Sequence, residues 1–353
     1  MIALRSEEKN PDKSVSVAKH KKCVLPTPNS NTLKDCHSQS DENNDKFKDC
    51  LSEDEGDVIS FPLQRQKVIE FAVQKKVLPP NVDNIDENDV DDPQCVTEYV
   101  DDMFEYLFNR EKYYYEQIRL STPADAWTFR IRQILIDWIV DVCFKFKLVT
   151  ETYLLCVALI DFAIGKPEMA NLTRSNIQLF GCTALWMASK IEDHYHPDCR
   201  DFVYISDKAF TKQDMLQMEL RIMNATKLNL QLPHSLLFLR RFSKAAYSDA
   251  KTHTLSKYIC ESVAVSGEIC HQFLPSEIAA GAVYLARISS SGQKWSETLS
   301  YYTKYSAVHA CKVAVELYKY ITAELTYKAC KRKYAGTKLL EVSKIDLKDP
   351  LND

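Results

Sequence analysis

Glycine is scarce in this chain of 353 residues, which has only seven, against an average usage of roughly 7%. The glycine turns on which tight β-hairpins depend are in short supply, so an all-β fold is disfavoured. No run approaches the ~18 apolar residues of a membrane span, and the opening Met1-Ile-Ala-Leu-Arg-Ser-Glu-Glu lacks the apolar core of a secretion signal. A protein that stays inside the cell, with no membrane partner, is expected. Charge of one sign is also missing: 45 basic residues face 49 acidic ones, a net charge of −4, which gives no general pull toward nucleic acid. A protein partner is the better default.

The chain also lacks a Gly-rich phosphate loop, a His-Glu-x-x-His run and a Gly-x-Ser-x-Gly elbow. No catalytic residue and no cofactor are therefore expected. Twelve cysteines are present, but they stand singly from Cys23 to Cys330 with no Cys-x-x-Cys pair; in a reducing compartment they act mostly as small hydrophobes or exposed thiols. His194, His196 and Cys199 lie close enough in sequence to suggest a metal site. A bend between helices explains them as well, and no metal is assigned.

What is present is helical pattern. Residues 1–94 are rich in Asn, Asp, Lys, Ser and Pro, including the acidic stretches Ser52–Asp57 and Asp83–Asp92, and read as a regulatory tail disordered over most of its length. Within it, Phe61–Val77 has the spacing of a short or partner-induced helix. An amphipathic helix then opens residues 95–127, where Val96, Tyr99, Val100, Met103, Phe104 and Leu107 repeat at the spacing of one face. From 128 to 330 helical patterns run almost continuously, broken at Gly165-Lys-Pro167, His196-Pro197, Leu232-Pro233, Leu274-Pro275 and Ser289–Gly292. Ala184-Leu-Trp-Met-Ala188 recurs as Ala282-Val-Tyr-Leu-Ala286, and the aromatic-plus-hydroxyl pairs Phe210-Thr211 and Tyr305-Ser306 each precede a new helix. The expected fold is all-α, with one unit of about five helices doubled: a first bundle over 128–230, a second over 231–330, and a C-terminal tail over 331–353.

The segment Ile131–Phe146 is apolar on too many sides. At ~100° per residue, Ile131, Ile134, Leu135, Trp138 and Val142 form one sector, and Ile136, Ile139, Val140, Cys143 and Phe146 a second beside it. Either the helix is buried nearly all round, or one sector binds a partner. Arg132 falls in the second sector, where an unpaired guanidinium would be very costly. Asp161, in the equally apolar Leu159–Ile164, is its expected bidentate partner and makes the pair structural.

This segment resembles the signature helix of the cyclin box, typically a Met-Arg-Ala-Ile-Leu-x-Asp-Trp run, with Ile131 and Gln133 in place of the usual Met and Ala. The resemblance implies two tandem cyclin boxes. It also implies that Ile131, Ile134, Leu135 and Trp138, with the acid Asp141 and the opposite wall Ile177 and Gln178, form a groove for basic-x-Leu peptides of substrates and inhibitors. Leu179–Asp193 is similar to the family's small-residue helix ending in Ala-Ser-Lys-x-Glu-Glu. By itself Lys190 is a cation at the negative end of a helix dipole, and Glu219 an ordinary helical acid. The resemblance makes them the pair that meets a cyclin-dependent kinase catalytic subunit, with Ile191, Met223 and Leu228 as apolar contacts and Tyr99, Met103 and Tyr106 wrapping the kinase.

Asp201–Asp207, Met218-Glu219 and Phe238–Lys244 look like A- and B-type mitotic cyclins, and Thr254–Glu261 leans toward the divergent third B-type branch. The function implied is a regulatory, non-catalytic subunit that activates its kinase and helps recruit substrates through mitosis or meiosis, in nucleus and cytoplasm. Such cyclins are removed by ubiquitin-ligase machinery through an Arg-x-x-Leu or Lys-Glu-Asn box, and this tail has neither, Arg65-Gln-Lys-Val68 being a degenerate candidate. A transcription initiation factor shares the doubled helical box, but it would carry an N-terminal zinc ribbon and a basic DNA-facing surface, which this slightly acidic chain lacks.

Overall fold

The computed structural model describes residues 78–119, 127–323 and 328–352, all within the unit Lys76–Asp353. Among the described residues there are thirteen α-helices and no strand, the all-α class expected. After a leading helix α1 (Val100–Arg119), a first bundle runs α2 (Phe129–Phe146), α3 (Thr150–Ile164), α4 (Ile177–Glu192), α5 (Cys199–Ile205) and α6 (Lys212–Thr226). A second runs α7 (Ser235–Ala245), α8 (Ala250–Val263), the short α9 (Gly267–Gln272), α10 (Pro275–Ser290), α11 (Glu297–Thr303) and α12 (Ala307–Thr322), and α13 (Ala329–Lys333) follows.

The helices start where the sequence offers caps. Thr128 accepts the backbone N–H of Ile131 to open α2, Thr211 and Asp214 form a capping box on α6, and Ser306 accepts from His309 N–H on α12. The duplicated small-residue segments sit at the same place in each bundle. α4 packs on α2, α3 and α6, and α10 packs on α7, α8 and α12. Small residues permit the close approach. A Cβ on Gly181 of α4 would lie 2.7 Å from Leu135 of α2, and one on Gly281 of α10 2.7 Å from Val313 of α12. Helix α3 is apolar all round, and all its residues but Glu151 and Ala158 are buried.

Three expectations are corrected. The apolar residues from Val96 to Leu107 do not share one face: the helix begins at Val100, Phe104 and Phe108 turn inward onto Phe238 and Phe242 of α7, and Tyr99 and Met103 stay exposed. Second, the acidic stretch before it does not trail free. Ile85 is buried, a 3-10 turn covers Glu87–Asp89, and Asp86 receives Arg241 at 2.5 and 2.6 Å and Lys244 at 2.6 Å. Burial alone would raise the Asp86 carboxyl, but the two cations outweigh it and hold it below the usual range.

Third, residues 331–352, expected as a tail, pack against the helices. Tyr334 and Val342 are fully buried, and the Tyr334 hydroxyl donates to Glu261 of α8 at 2.5 Å. Lys333 pairs with the same carboxylate at 2.7 Å, and Thr150 of α3 donates to it at 2.8 Å. A buried carboxylate needs such partners, and Glu261, itself in the second bundle, finds them in the first bundle and in the C-terminal segment. Residues 1–77 of the tail expected over 1–94, with the Phe61–Val77 helix and Arg65–Val68 signal, lie outside the described residues.

Candidate functional site: two exposed faces of the first bundle

Helix α2 owes its position to Arg132. The side chain is completely buried; its Nε and one terminal amine donate to the two Asp161 oxygens at 2.7 Å each. The other amine donates to the carbonyls of Ala264 and Val265, just past α8, at 3.0 and 2.9 Å. One guanidinium thus ties α2 to α3 and to the second bundle. Burial opposes its charge, and the Asp161 carboxylate more than restores it.

With Arg132 pointing inward, Ile136, Ile139, Val140 and Cys143 of the same sector are buried, while Phe146 is half-buried. The other sector is only partly covered. Ile131, Ile134 and Trp138 are half-buried, Leu135 and Val142 are buried, and Leu135 packs on Gly181. Ile177 is buried and Gln178 half-buried at the start of α4. Ile131, Ile134, Trp138 and Gln178 therefore remain accessible, and Leu135 and Ile177 support them from below. Asp141 is exposed, yet both its oxygens already accept from Arg332 of α13 at 2.8 Å. One turn earlier, Asp137 accepts the Ala329 backbone N–H at 3.0 Å. Burial raises the Asp137 carboxyl above its usual range.

The second face centres on the end of α4. Lys190 pairs with Glu219 of α6, and its ammonium lies 3.8 Å from the Trp186 ring centre. Beside the pair stand Ile191 and Leu228, 39% and 68% exposed, with Met223 half-buried. Leu228 is turned outward by two successive left-handed residues after α6, Lys227 (φ 51°) and Leu228 (φ 59°). Such geometry is uncommon for residues other than glycine. Arg110 of α1 donates to Asn229 at 3.3 Å, so the exposed side of α1 continues from Leu228. Tyr99, Met103 and Tyr106 lie on that side, each half exposed or more.

Tyr113, which the sequence reading did not single out, is also 54% exposed on this side of the same helix. Its signal was the continuing three-and-four spacing through Tyr106 and Arg110. Nor did the sequence reading single out Arg332, which it placed only in a C-terminal tail and which instead meets Asp141. Cys199 is buried with Sγ 3.5 Å from the Met215 sulfur, and among the described residues no group of three His, Cys, Asp or Glu side chains is gathered for a metal.

Comparison with known proteins places the chain in a family. The family described as cyclin, N-terminal domain matches residues 102–231, and cyclin, C-terminal domain matches 233–348. The G2/mitotic-specific cyclin-B of Dictyostelium discoideum is 40% identical over 74% of this chain and 60% of its own length. The G2/mitotic-specific cyclin-B2 of Anguilla japonica is 38% identical over 74% of this chain and 66% of its own. The G2/mitotic-specific cyclin-B of Spisula solidissima is 39% identical over 77% and 63%. The chain thus spans less than two thirds of the length of these relatives. An X-ray structure of a viral cyclin from herpesvirus saimiri aligns with a TM-score of 0.49 at 17% identity, covering 57% of this chain and 89% of that one. With both cyclin domains matched in order and mitotic relatives near 40% identity, the chain belongs to the cyclin family.

Proposed function

We propose that this chain binds the catalytic subunit of a cyclin-dependent kinase, activates it in mitosis or meiosis, and performs no catalysis itself. The observation that carries the reading is the Lys190–Glu219 pair, set among exposed Ile191 and Leu228 and continued by Tyr99, just before α1, and by Met103 and Tyr106 on it. Exposed apolar residues standing together and rimmed by polar groups are the kind of surface that protein interfaces use.

A kinase works only when its active-site lysine pairs with a glutamate on a mobile helix. A surface that binds the arrangement with that helix inward more tightly than the other shifts the population toward the active kinase. Ile191, Met223 and Leu228 supply the apolar contact, and Lys190 and Glu219, freed from one another, supply polar contacts to groups around the helix. Replacing Lys190 and Glu219 together by alanine should abolish co-purification and kinase activation while leaving the melting temperature of the free chain nearly unchanged. Normal activation by that double variant would refute the assignment.

The partly covered α2 face supports a second role. Ile131, Ile134 and Trp138 offer accessible apolar surface over buried Leu135 and Ile177, with Gln178 on the far wall and the carboxylate of Asp141 at one end. This pattern suits an extended peptide that carries a basic residue and a leucine. Substrates and inhibitors of the kinase are the proposed occupants, which makes the groove a selector of substrates rather than part of the switch. The site of action is proposed as nucleus and cytoplasm, to be tested by imaging a fluorescent fusion.

A further inference from the structure

We propose that Arg332 is a built-in competitor for the acidic end of the docking groove: its guanidinium occupies Asp141, and a basic-x-Leu peptide must displace it to dock. The inference rests on the docking role just assigned to the α2 face.

The placement of Arg332 is fixed by its neighbours rather than by its own ion pair. Cys330 is buried on one side of it, and Lys333 and Tyr334 on the other side are held by the buried Glu261 carboxylate at 2.7 and 2.5 Å. The Ser343 hydroxyl donates to the Lys331 carbonyl at 2.9 Å, and the Ala329 N–H donates to Asp137 at 3.0 Å. With both flanks anchored, the side chain between them stands over α2, and one terminal amine reaches both Asp141 oxygens at 2.8 Å.

The two acids at this end of α2 are therefore engaged differently. Asp137 is held by a backbone N–H, which cannot leave without unseating α13. Asp141 is held by a long side chain, and that pair is open to water, with side-chain exposures of 60% and 52%. An exposed ion pair of this kind contributes little and exchanges readily. Release of Arg332 needs only a rotamer change, with α13 staying in place. An incoming guanidinium or ammonium would gain Asp141 only by giving up water and evicting Arg332, so the groove is open to apolar anchors and guarded against weak cations. The competition is between like charges for one carboxylate, so it weakens as salt screens both.

The test is fluorescence anisotropy on the full chain with two labelled peptides, one carrying Arg-x-Leu and one with alanine in place of that arginine. Arg332→Ala should tighten the arginine peptide about two- to five-fold, the range expected for losing one exposed competing pair, and leave the alanine peptide unchanged. Arg332→Lys should fall between. The gain should shrink in high salt, and the melting temperature should stay close to that of the unaltered chain because the flanking anchors remain. Unchanged or weaker binding of the arginine peptide to Arg332→Ala, or an equal gain for both peptides, would overturn the competitor role. Trp138→Ala separates the two levels: if the arginine peptide does not bind, or binds regardless of Trp138, the docking role fails and the competitor role falls with it.

Discussion

Arg132 of α2 and Asp161 of α3 meet through two parallel bonds of 2.7 Å in a position closed to water, and the amine left over reaches the Ala264 and Val265 carbonyls beyond α8. Removing one partner leaves the other charge buried and unpaired. Arg132→Ala and Asp161→Ala are each expected to destabilise the chain by about 3–5 kcal/mol, measured by urea unfolding. The double variant should cost clearly less than the sum, because each single change already forfeits the shared pair.

Glu261 joins the C-terminal segment to both bundles, accepting from Thr150, Lys333 and Tyr334. Glu261→Ala should cost about 3–5 kcal/mol, since it strands a half-buried ammonium and two hydroxyls. Tyr334→Phe removes one bond and keeps the ring, so a loss of about 1–2 kcal/mol is expected. Chain ending at residue 328 should melt well below the full chain; equal melting would show that residues 329–352 add nothing to the fold.

Glu111 of α1 is buried, and its two oxygens accept the Ser276 N–H at 2.9 Å and hydroxyl at 2.5 Å. Burial pushes its carboxyl up to about 7; the Ser276 bonds oppose the rise and the nearby Glu277 adds to it. A carboxyl raised on folding stabilises the protein fully below its unfolded value near 4.5, and that contribution is lost as pH climbs through about 7. Glu111→Gln, which mimics the protonated form, should therefore be more stable than the unaltered chain at pH 8 by about 1–3 kcal/mol, and the gap should close by pH 5. Urea titrations at the two pH values measure it.

The two exposed faces predict a division of labour. Trp138→Ala should leave activation of a bound kinase toward a short generic substrate unchanged, while lowering phosphorylation of a substrate with a basic-x-Leu segment about ten-fold, the scale of one lost apolar anchor. Equal loss for both substrates would contradict the separation.

How much of this is legible in the sequence depends on whether a side chain carries its own demand. A guanidinium inside the apolar Ile131–Phe146 pattern demands a carboxylate, and Asp161 was the one at hand in the neighbouring apolar run. The carbonyls of Ala264 and Val265 left no trace, because backbone acceptors are the same in every residue. Hydroxyl caps such as Thr128 and Ser306 are readable, since they satisfy N–H groups that every helix start exposes. Charged runs are not. Asp83–Asp92 and Lys331–Lys333 look solvated by composition, yet Asp86 and Lys333 are claimed by Arg241 and Glu261 from far along the chain. The groove end follows the same rule: Asp141 could be placed on a face, but not the distant arginine that covers it.

The doubled unit is finished unequally. The first helix of the second copy, α7, has its aromatic face covered by Phe104 and Phe108 from α1, whereas the first helix of the first copy, α2, meets the second bundle through Arg132 and Phe129 and the five residues of α13 along another edge. The leading helix thus covers an apolar face of the second module, while the Ile131, Ile134 and Trp138 face of the first stays partly open. The shared plan survives in the packing of α4 and α10, and the two modules are made unlike by the segments at the two ends of the described chain, α1 and α13.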